Sequence, residues 1–86
     1  MNKFFKKWVN VKTRHNERVV LVPASVFYIT FNEDAEKLHE FLGLELNYAK
    51  NSDKGFEAFA RFTRFQLEKV LHVLENDNQS VGIVGR

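Results

Sequence analysis

Two arginines alternate with three phenylalanines in one short stretch of the chain. Residues 59–65 have the sequence Phe-Ala-Arg-Phe-Thr-Arg-Phe. A guanidinium group binds phosphate and a neighbouring aromatic ring stacks on a base, so this combination is typical of nucleic-acid contact. A structural interpretation also fits, in which Phe62 and Phe65 belong to the core while Arg61 and Arg64 extend along it to solvent.

Groups that carry acid–base, nucleophilic or metal chemistry are few and widely spaced. The three histidines form no closely spaced pair that would suggest a metal site; they are His15, His39 and His72. The chain has no cysteine, which excludes a thiolate nucleophile, a thiolate metal site and a disulfide. Its four glycines are scattered and form no phosphate-binding loop. We therefore expect no enzymatic activity, no catalytic residue, no metal and no cofactor.

The composition indicates one small folded domain with an uneven distribution of charge. Hydrophobic residues make up 44% of the 86 residues and aromatic residues 14%, enough for one modest core. No segment suits a membrane span or a secretory signal, so a cytoplasmic location is expected. Residues 1–18 have a net charge of +5 and the remainder −3. The basic segment is suited to phosphate binding, or it is the solvated face of a helix.

The first half of the chain predicts a helix, two strands and a second helix. Apolar residues at three- and four-residue steps predict an amphipathic helix over residues 3–15. Strands are predicted at 18–22 and 26–31, paired across a short connection. Asn32 is expected to be the N-cap of the second helix, with Glu33 and Asp34 in its first turn.

The second half predicts two more strands, a third helix and a final strand. Alternating apolar residues predict strands at 44–50 and 56–62. Thr63 and Gln66 have the spacing of a capping box, which opens a helix, and residues 81–84 form an apolar strand. The predicted order is αββαββαβ. The expected fold combines helices and strands (α/β in the broad sense, α+β in the strict one). It has a mixed sheet of about five strands flanked by three helices.

A resemblance to a known family rests on residues 27–35, which have the sequence Phe-Tyr-Ile-Thr-Phe-Asn-Glu-Asp-Ala. This segment resembles the FYE-x-F-x-x-DA segment in the N-terminal mismatch-recognition domain of the DNA mismatch repair protein MutS. The likeness extends over the chain, and the residues that carry it elsewhere are Trp8, Val11, Lys12, His15, Leu38, Leu42, Leu44, Leu46, Leu67, Leu71, Leu74 and 80–83. The resemblance implies that residues 1–86 are a single such domain, standing alone without the connector, clamp and ATPase domains.

The resemblance also implies a DNA-binding site. In the family, the phenylalanine of this segment stacks on a mispaired base and the glutamate two residues later hydrogen-bonds that base. Phe27 matches the phenylalanine, an aromatic wedge that opens a base step most readily where pairing is already defective. Ile29 replaces the glutamate and has no hydrogen-bonding group, so base-specific reading is not expected there. The other DNA-binding residues expected are Ser25, Lys12, Arg61 and Arg64.

Two kinds of function follow from these observations. The first is a non-catalytic DNA-binding module that contacts duplex or distorted DNA weakly, because few cationic residues converge. The second is a protein-interaction or self-association module. Ile29 makes the former contact face more apolar, and a missing final strand leaves a sheet edge for a partner or a second copy. Neither function involves a membrane or a nucleotide cofactor. A buried Phe27 would leave no wedge, so its exposure distinguishes the two.

Overall fold

In the part of the chain that the structure describes, three helices and five strands follow one another in the order that the sequence predicts. The computed structural model describes residues 3–51 and 55–85. The elements are α1 (Lys3–Arg14), β1 (Arg18–Ala24), β2 (Phe27–Phe31), α2 (Asn32–Leu42), β3 (Asn47–Asn51), β4 (Gly55–Thr63), α3 (Leu67–Asn76) and β5 (Ser80–Ile83), with a 3₁₀ turn (Arg64–Gln66) before α3. Within the two described ranges, no helix is both long enough and apolar enough to cross a membrane.

The strands form one mixed sheet in the order β3-β4-β2-β1-β5. The pairs β3–β4, β4–β2 and β2–β1 are antiparallel, whereas β5 runs parallel to β1. A two-residue hairpin joins β1 to β2, as antiparallel neighbours allow. The predicted α+β fold, a mixed five-stranded sheet with three helices, is confirmed.

Alternation along the strands divides the core between the two faces of the sheet. The face beneath α1 is rich in aromatic residues, and its buried members are Trp8, Val20, Val22, Ile29 and Phe31. The face beneath α2 and α3 has the buried residues Val19, Leu21, Tyr28, Leu38, Phe62, Val70 and Leu74. Each large side chain removed from water contributes about 1.5–3 kcal/mol, so both faces stabilise the sheet.

A buried carboxylate connects α1 to the rest of the molecule. Asp34 is fully buried in the first turn of α2. Its oxygens accept hydrogen bonds from the indole N–H of Trp8 at 3.0 Å, the Val20 backbone N–H at 2.9 Å and the Lys12 ammonium at 3.1 Å. Burial raises the pKa of Asp34, and the bonds from Val20, Lys12 and Trp8 act in the opposite direction.

The predicted N-cap role of Asn32 is wrong. The N-cap residue is Phe31, and Asn32 is the first residue of α2, with a left-handed φ of 48°. Its side chain accepts a hydrogen bond from the Ala58 backbone N–H at 3.2 Å and donates one to Glu57 at 2.7 Å. Asn32 follows the last β2–β4 pair, so its amide continues the hydrogen bonding of β4 and does not cap the helix.

Two predicted strand boundaries differ from the structure by two or more residues, and the other differences are of one residue. β1 continues through Pro23, because β5 pairs only with residues 18–21 and leaves Pro23 on an open edge, where proline is tolerated. β3 begins at Asn47, three residues later than predicted. Leu44 has no place in that strand and instead packs against the core beneath α2 and α3.

Candidate nucleic-acid interface

The turn between β1 and β2 forms one side of the candidate interface. Ala24 pairs with Phe27, so the turn consists of Ser25 and Val26. Ser25 has a positive φ of 60°, which a two-residue hairpin requires at its first position and which glycine adopts more readily. Both turn residues are exposed, and the Val26 side chain is 52% accessible. The hairpin therefore presents a short apolar tip to solvent.

The end of β4 lies beside this hairpin. Phe27 pairs with Thr63, and the Arg64 backbone N–H donates to the Val26 carbonyl at 2.9 Å. Gln66 closes the turn from the other side, because its side-chain oxygen accepts a hydrogen bond from the Thr63 backbone N–H at 2.9 Å. The predicted capping box is confirmed, although it opens the 3₁₀ turn that leads into α3. The hairpin tip and the 3₁₀ turn thus share one end of the sheet.

Phe27 is partly exposed at this end of the sheet. The Arg61 guanidinium lies 4.8 Å from the centre of its ring, a cation–π contact. Both line an open cavity of about 280 Å³, whose other lining residues are Phe4, Ala24, Ser25 and Ile29. Ile29 is only 9% exposed and packs in the core beneath α1. The aromatic residue and the cation therefore meet at an accessible surface.

The structure brings five of the six predicted DNA-binding residues together and leaves one apart. Ser25, Phe27, Ile29 and Arg61 share the cavity, and Arg64 is joined to the hairpin by its hydrogen bond to Val26. Lys12 is 7% exposed and lies near Asp34, which follows the far end of β2. Its ammonium also donates to the carbonyls of Asn16 and Arg18, so these internal bonds fix it in the interior.

Lys3 is a cation near the cavity that the site prediction did not include. It is exposed at the start of α1, and its ammonium lies 5.4 Å from the centre of the Phe4 ring, which lines the cavity. The basic N-terminal segment was the sequence signal for it. Among residues 3–51 and 55–85, neither Arg61 nor Arg64 forms a salt bridge, so their charges are not neutralised by a described carboxylate.

Phe65 was assigned to the core in the structural interpretation of the sequence, and this is wrong. Its side chain is 91% exposed, whereas Phe62 is 2% exposed and belongs to the core as expected. Phe65 lies in the 3₁₀ turn, next to Arg64. A sequence signal existed, because Phe65 falls outside the three- and four-residue steps of the apolar stripe that begins at Leu67.

The described part of the chain has no cluster of three or more histidine, aspartate or glutamate side chains arranged to hold a metal ion. The groups at the candidate interface are cations and aromatic rings, which bind phosphate and stack on bases.

Comparison with known families gives one match that spans nearly the entire chain. The family model described as MutS domain I matches residues 2–86. No curated protein is significantly similar to the chain in sequence.

Proposed function

The chain belongs to the MutS domain I family, and on that basis we propose that it is a non-catalytic DNA-binding domain that contacts duplex or distorted DNA. One observation carries the proposal. Phe27, the residue that matches the family's wedge, is partly exposed beside the Arg61 guanidinium. A buried ring or an adjacent carboxylate would have opposed DNA contact at this position.

The proposed contact combines phosphate binding with opening of a base step. Arg61 and Arg64 bind backbone phosphates, while the Phe27 ring enters a step whose stacking is already weakened. Ile29 offers no hydrogen bond to a base edge, so the domain responds to the shape and deformability of DNA and not to the identity of a base. With few cations at the surface, affinity is low and decreases as salt increases.

Fluorescence anisotropy with labelled duplexes tests this function. The probes are a perfect duplex, a single mismatch and a one-nucleotide bulge, each at a low and a higher salt concentration. Phe27→Ala is expected to weaken binding to the bulge more than to the perfect duplex. Phe56→Ala is the matched control, because Phe56 is 69% exposed near the other end of β4. Binding that is insensitive to salt and unaffected by Phe27→Ala would contradict the proposal.

A protein-interaction function is the second candidate, and the edge strand β3 favours it. β3 pairs with β4 on one side and is an edge of the sheet. Tyr48 on β3 and Phe56 on β4 are 65% and 69% exposed. Tyr48 pairs with Ala58, and Phe56 lies two residues away from Ala58 in β4, so both aromatic side chains lie on one face. Another chain could add to this edge and cover both rings.

Sedimentation at about 100 µM, where weak interfaces associate, tests this second candidate. A dimer that becomes a monomer in Tyr48→Ser and in Phe56→Ser would support self-association through β3. Phe65→Ser is the control, because it makes the same change from phenylalanine to serine at an exposed position at the opposite end of the sheet. A monomer at every concentration would exclude self-association through this edge.

A further inference from the structure

Phe65 is the most exposed of the large apolar side chains described, and no packing role explains it. At 91% accessibility it is freer than Phe56 at 69%, Tyr48 at 65% and Val26 at 52%. Burying a phenylalanine stabilises a fold, so a ring left almost completely in water contributes little to the stability of the domain. Phe65 is also not part of the apolar stripe of α3, which begins after it at Leu67.

The backbone that presents Phe65 is fixed on both sides. The Arg64 N–H donates to Val26, the Thr63 N–H donates to the Gln66 side chain, and the Leu67 N–H donates to the Arg64 carbonyl. These bonds tie the 3₁₀ turn to the hairpin, to its own capping residue and to α3. A ring held outward by a rigid turn loses little backbone entropy when it binds a ligand.

The neighbours of Phe65 indicate the chemistry of that ligand. Arg64 precedes it and is exposed, and Arg61 lies three residues before that on β4. Neither arginine forms a salt bridge with another described residue. Glu68 is the nearest acidic residue in sequence, in the first turn of α3. A flat exposed ring next to an arginine that forms no salt bridge with a described residue suits a ligand with both a planar ring and a phosphate, which describes a nucleotide within DNA.

We infer that Phe65 is a second base-stacking residue, on which an unpaired base stacks while Arg64 contacts a neighbouring phosphate. The inference rests on the DNA-binding function proposed above and deepens it, because it specifies DNA with an unstacked base as the ligand. Phe27 is partly exposed, lines the open cavity and lies beneath the Arg61 guanidinium, so it can contact the opened step. Phe65 has its ring free for the base that has left the stack.

A bulged duplex with 2-aminopurine as its single unpaired base tests the inference, since stacking on an aromatic ring quenches its fluorescence. The unchanged protein is expected to quench this signal on binding. Phe65→Ala is expected to lose most of the quenching and to bind the bulge about tenfold more weakly, in line with stacking on one ring. Phe65→Trp should retain both properties, and Phe56→Ala should behave as the unchanged protein. Circular dichroism verifies that each variant is folded.

The outcomes separate this inference from the function on which it rests. If the unchanged protein binds no duplex at low salt, the DNA-binding function is overturned and this inference with it. If it binds and Phe27→Ala weakens bulge binding, but Phe65→Ala matches Phe56→Ala in quenching and affinity, only the role of Phe65 is overturned. Equal weakening of perfect and bulged duplexes by Phe65→Ala, with quenching unchanged, also overturns it.

Discussion

Ile29 lies two residues after Phe27 on β2, and its environment restricts what that position can do. Its side chain packs beneath α1 with Trp8 and Phe31 and is only 9% exposed. Its partner across the sheet is Arg61, which also lies over the Phe27 ring. Residue 29 is therefore held by core packing beneath α1 and has a cation as its neighbour on the adjacent strand.

Restoring an acidic residue at this position should not restore base reading. Ile29→Glu is expected to lower the free energy of unfolding by about 2 kcal/mol, because it removes a buried aliphatic group and places a charge in an apolar site. The carboxylate would pair with Arg61 across the strands and weaken phosphate contact, so binding to every duplex should decrease. Denaturant unfolding and anisotropy measure the two effects, with Ile29→Val as control. A clear gain in preference for mismatched DNA would contradict this expectation.

Lys12 differs from the arginines of the candidate interface, because its ammonium group is bound inside the protein. Lys12→Met is expected to destabilise the domain by about 3 kcal/mol, since Asp34 would remain buried without its cation. Adding Asp34→Asn should cost less than the sum of the two single changes, because Asn keeps an acceptor for Trp8 and Val20 and carries no charge. Urea unfolding of all four proteins measures the coupling. Strictly additive losses would show that the two side chains are independent.

DNA binding by Lys12→Met distinguishes a structural role from a contact role for this lysine. The affinity of the folded fraction is expected to be unchanged, because the ammonium is bound to Asp34, Asn16 and Arg18 inside the protein. Reduced affinity at full folding would show that Lys12 reaches DNA after all, as the family resemblance suggested.

At the scale of elements, the candidate interface depends on two turns that support each other. The hairpin of Ser25 and Val26 and the 3₁₀ turn are linked by the Arg64–Val26 hydrogen bond. The β2–β4 register, which pairs Phe27 with Thr63, holds the two turns side by side. Changes in either turn should therefore alter both the stability and the presentation of the exposed side chains.

Ser25→Gly tests the strain in the hairpin. Glycine adopts a positive φ without a steric penalty, whereas serine at φ 60° costs about 1 kcal/mol. Stability should therefore increase by about 0.5–1 kcal/mol, measured by thermal or urea unfolding. Ser25→Ala is the control, because it removes the hydroxyl and keeps the strain, and it should leave stability near that of the unchanged protein. Equal stability of the two variants would mean that the turn is not strained.

Local patterns in the sequence predict most of the elements, and long-range contacts account for what they miss. Helical steps of three and four residues predict α1 and α3, and the apolar run predicts β2, because these signals lie within one element. The role of Asn32 depends on Ala58, which is 26 residues away, and the burial of Lys12 depends on Asp34, 22 residues away. Neither contact can be inferred from neighbours in sequence. The exposure of Phe65, by contrast, has a local signal, because this residue falls outside the apolar stripe of α3.

For the molecule as a whole, α1 is joined to the sheet by aromatic packing and by the Asp34 carboxylate. The connection through Asp34 is sensitive to pH because this carboxyl group is fully buried. Burial raises the pKa of Asp34 above the usual value of 3.8, even though the Val20, Lys12 and Trp8 bonds lower it. The folded protein therefore holds the Asp34 proton more tightly than the unfolded chain does.

The free energy of unfolding of the domain should therefore depend on pH. Protonation of Asp34 contributes to the free energy of unfolding. This contribution is complete below pH 3.8, the ordinary pKa that applies to the unfolded chain, and is lost as the pH increases through the raised pKa of the folded protein. Unfolding free energies from about pH 3 to about pH 7 test this, with Asp34→Asn as the variant that cannot titrate. The difference, unchanged protein minus variant, should decrease as the pH increases. An increasing difference would show that the hydrogen bonds outweigh burial and that the pKa is lowered.

The charge distribution of the whole molecule leads to a final expectation about salt. Among the described residues, Arg61 and Arg64 lie at the hairpin end of the sheet, and Lys3 lies over Phe4, which lines the cavity there. With one phosphate neutralised per cation, each of the three contributes about 0.9 to the magnitude of the slope of log affinity against log salt. The slope for a perfect duplex is therefore expected to be about −3. Arg64→Gln should make it shallower by about 1, whereas Lys50→Gln, on the edge strand β3, should leave it unchanged. Anisotropy titrations over a series of salt concentrations measure the slopes. An equal change in both variants would mean that DNA meets the molecule through its overall charge, and that the hairpin end of the sheet has no special part in binding.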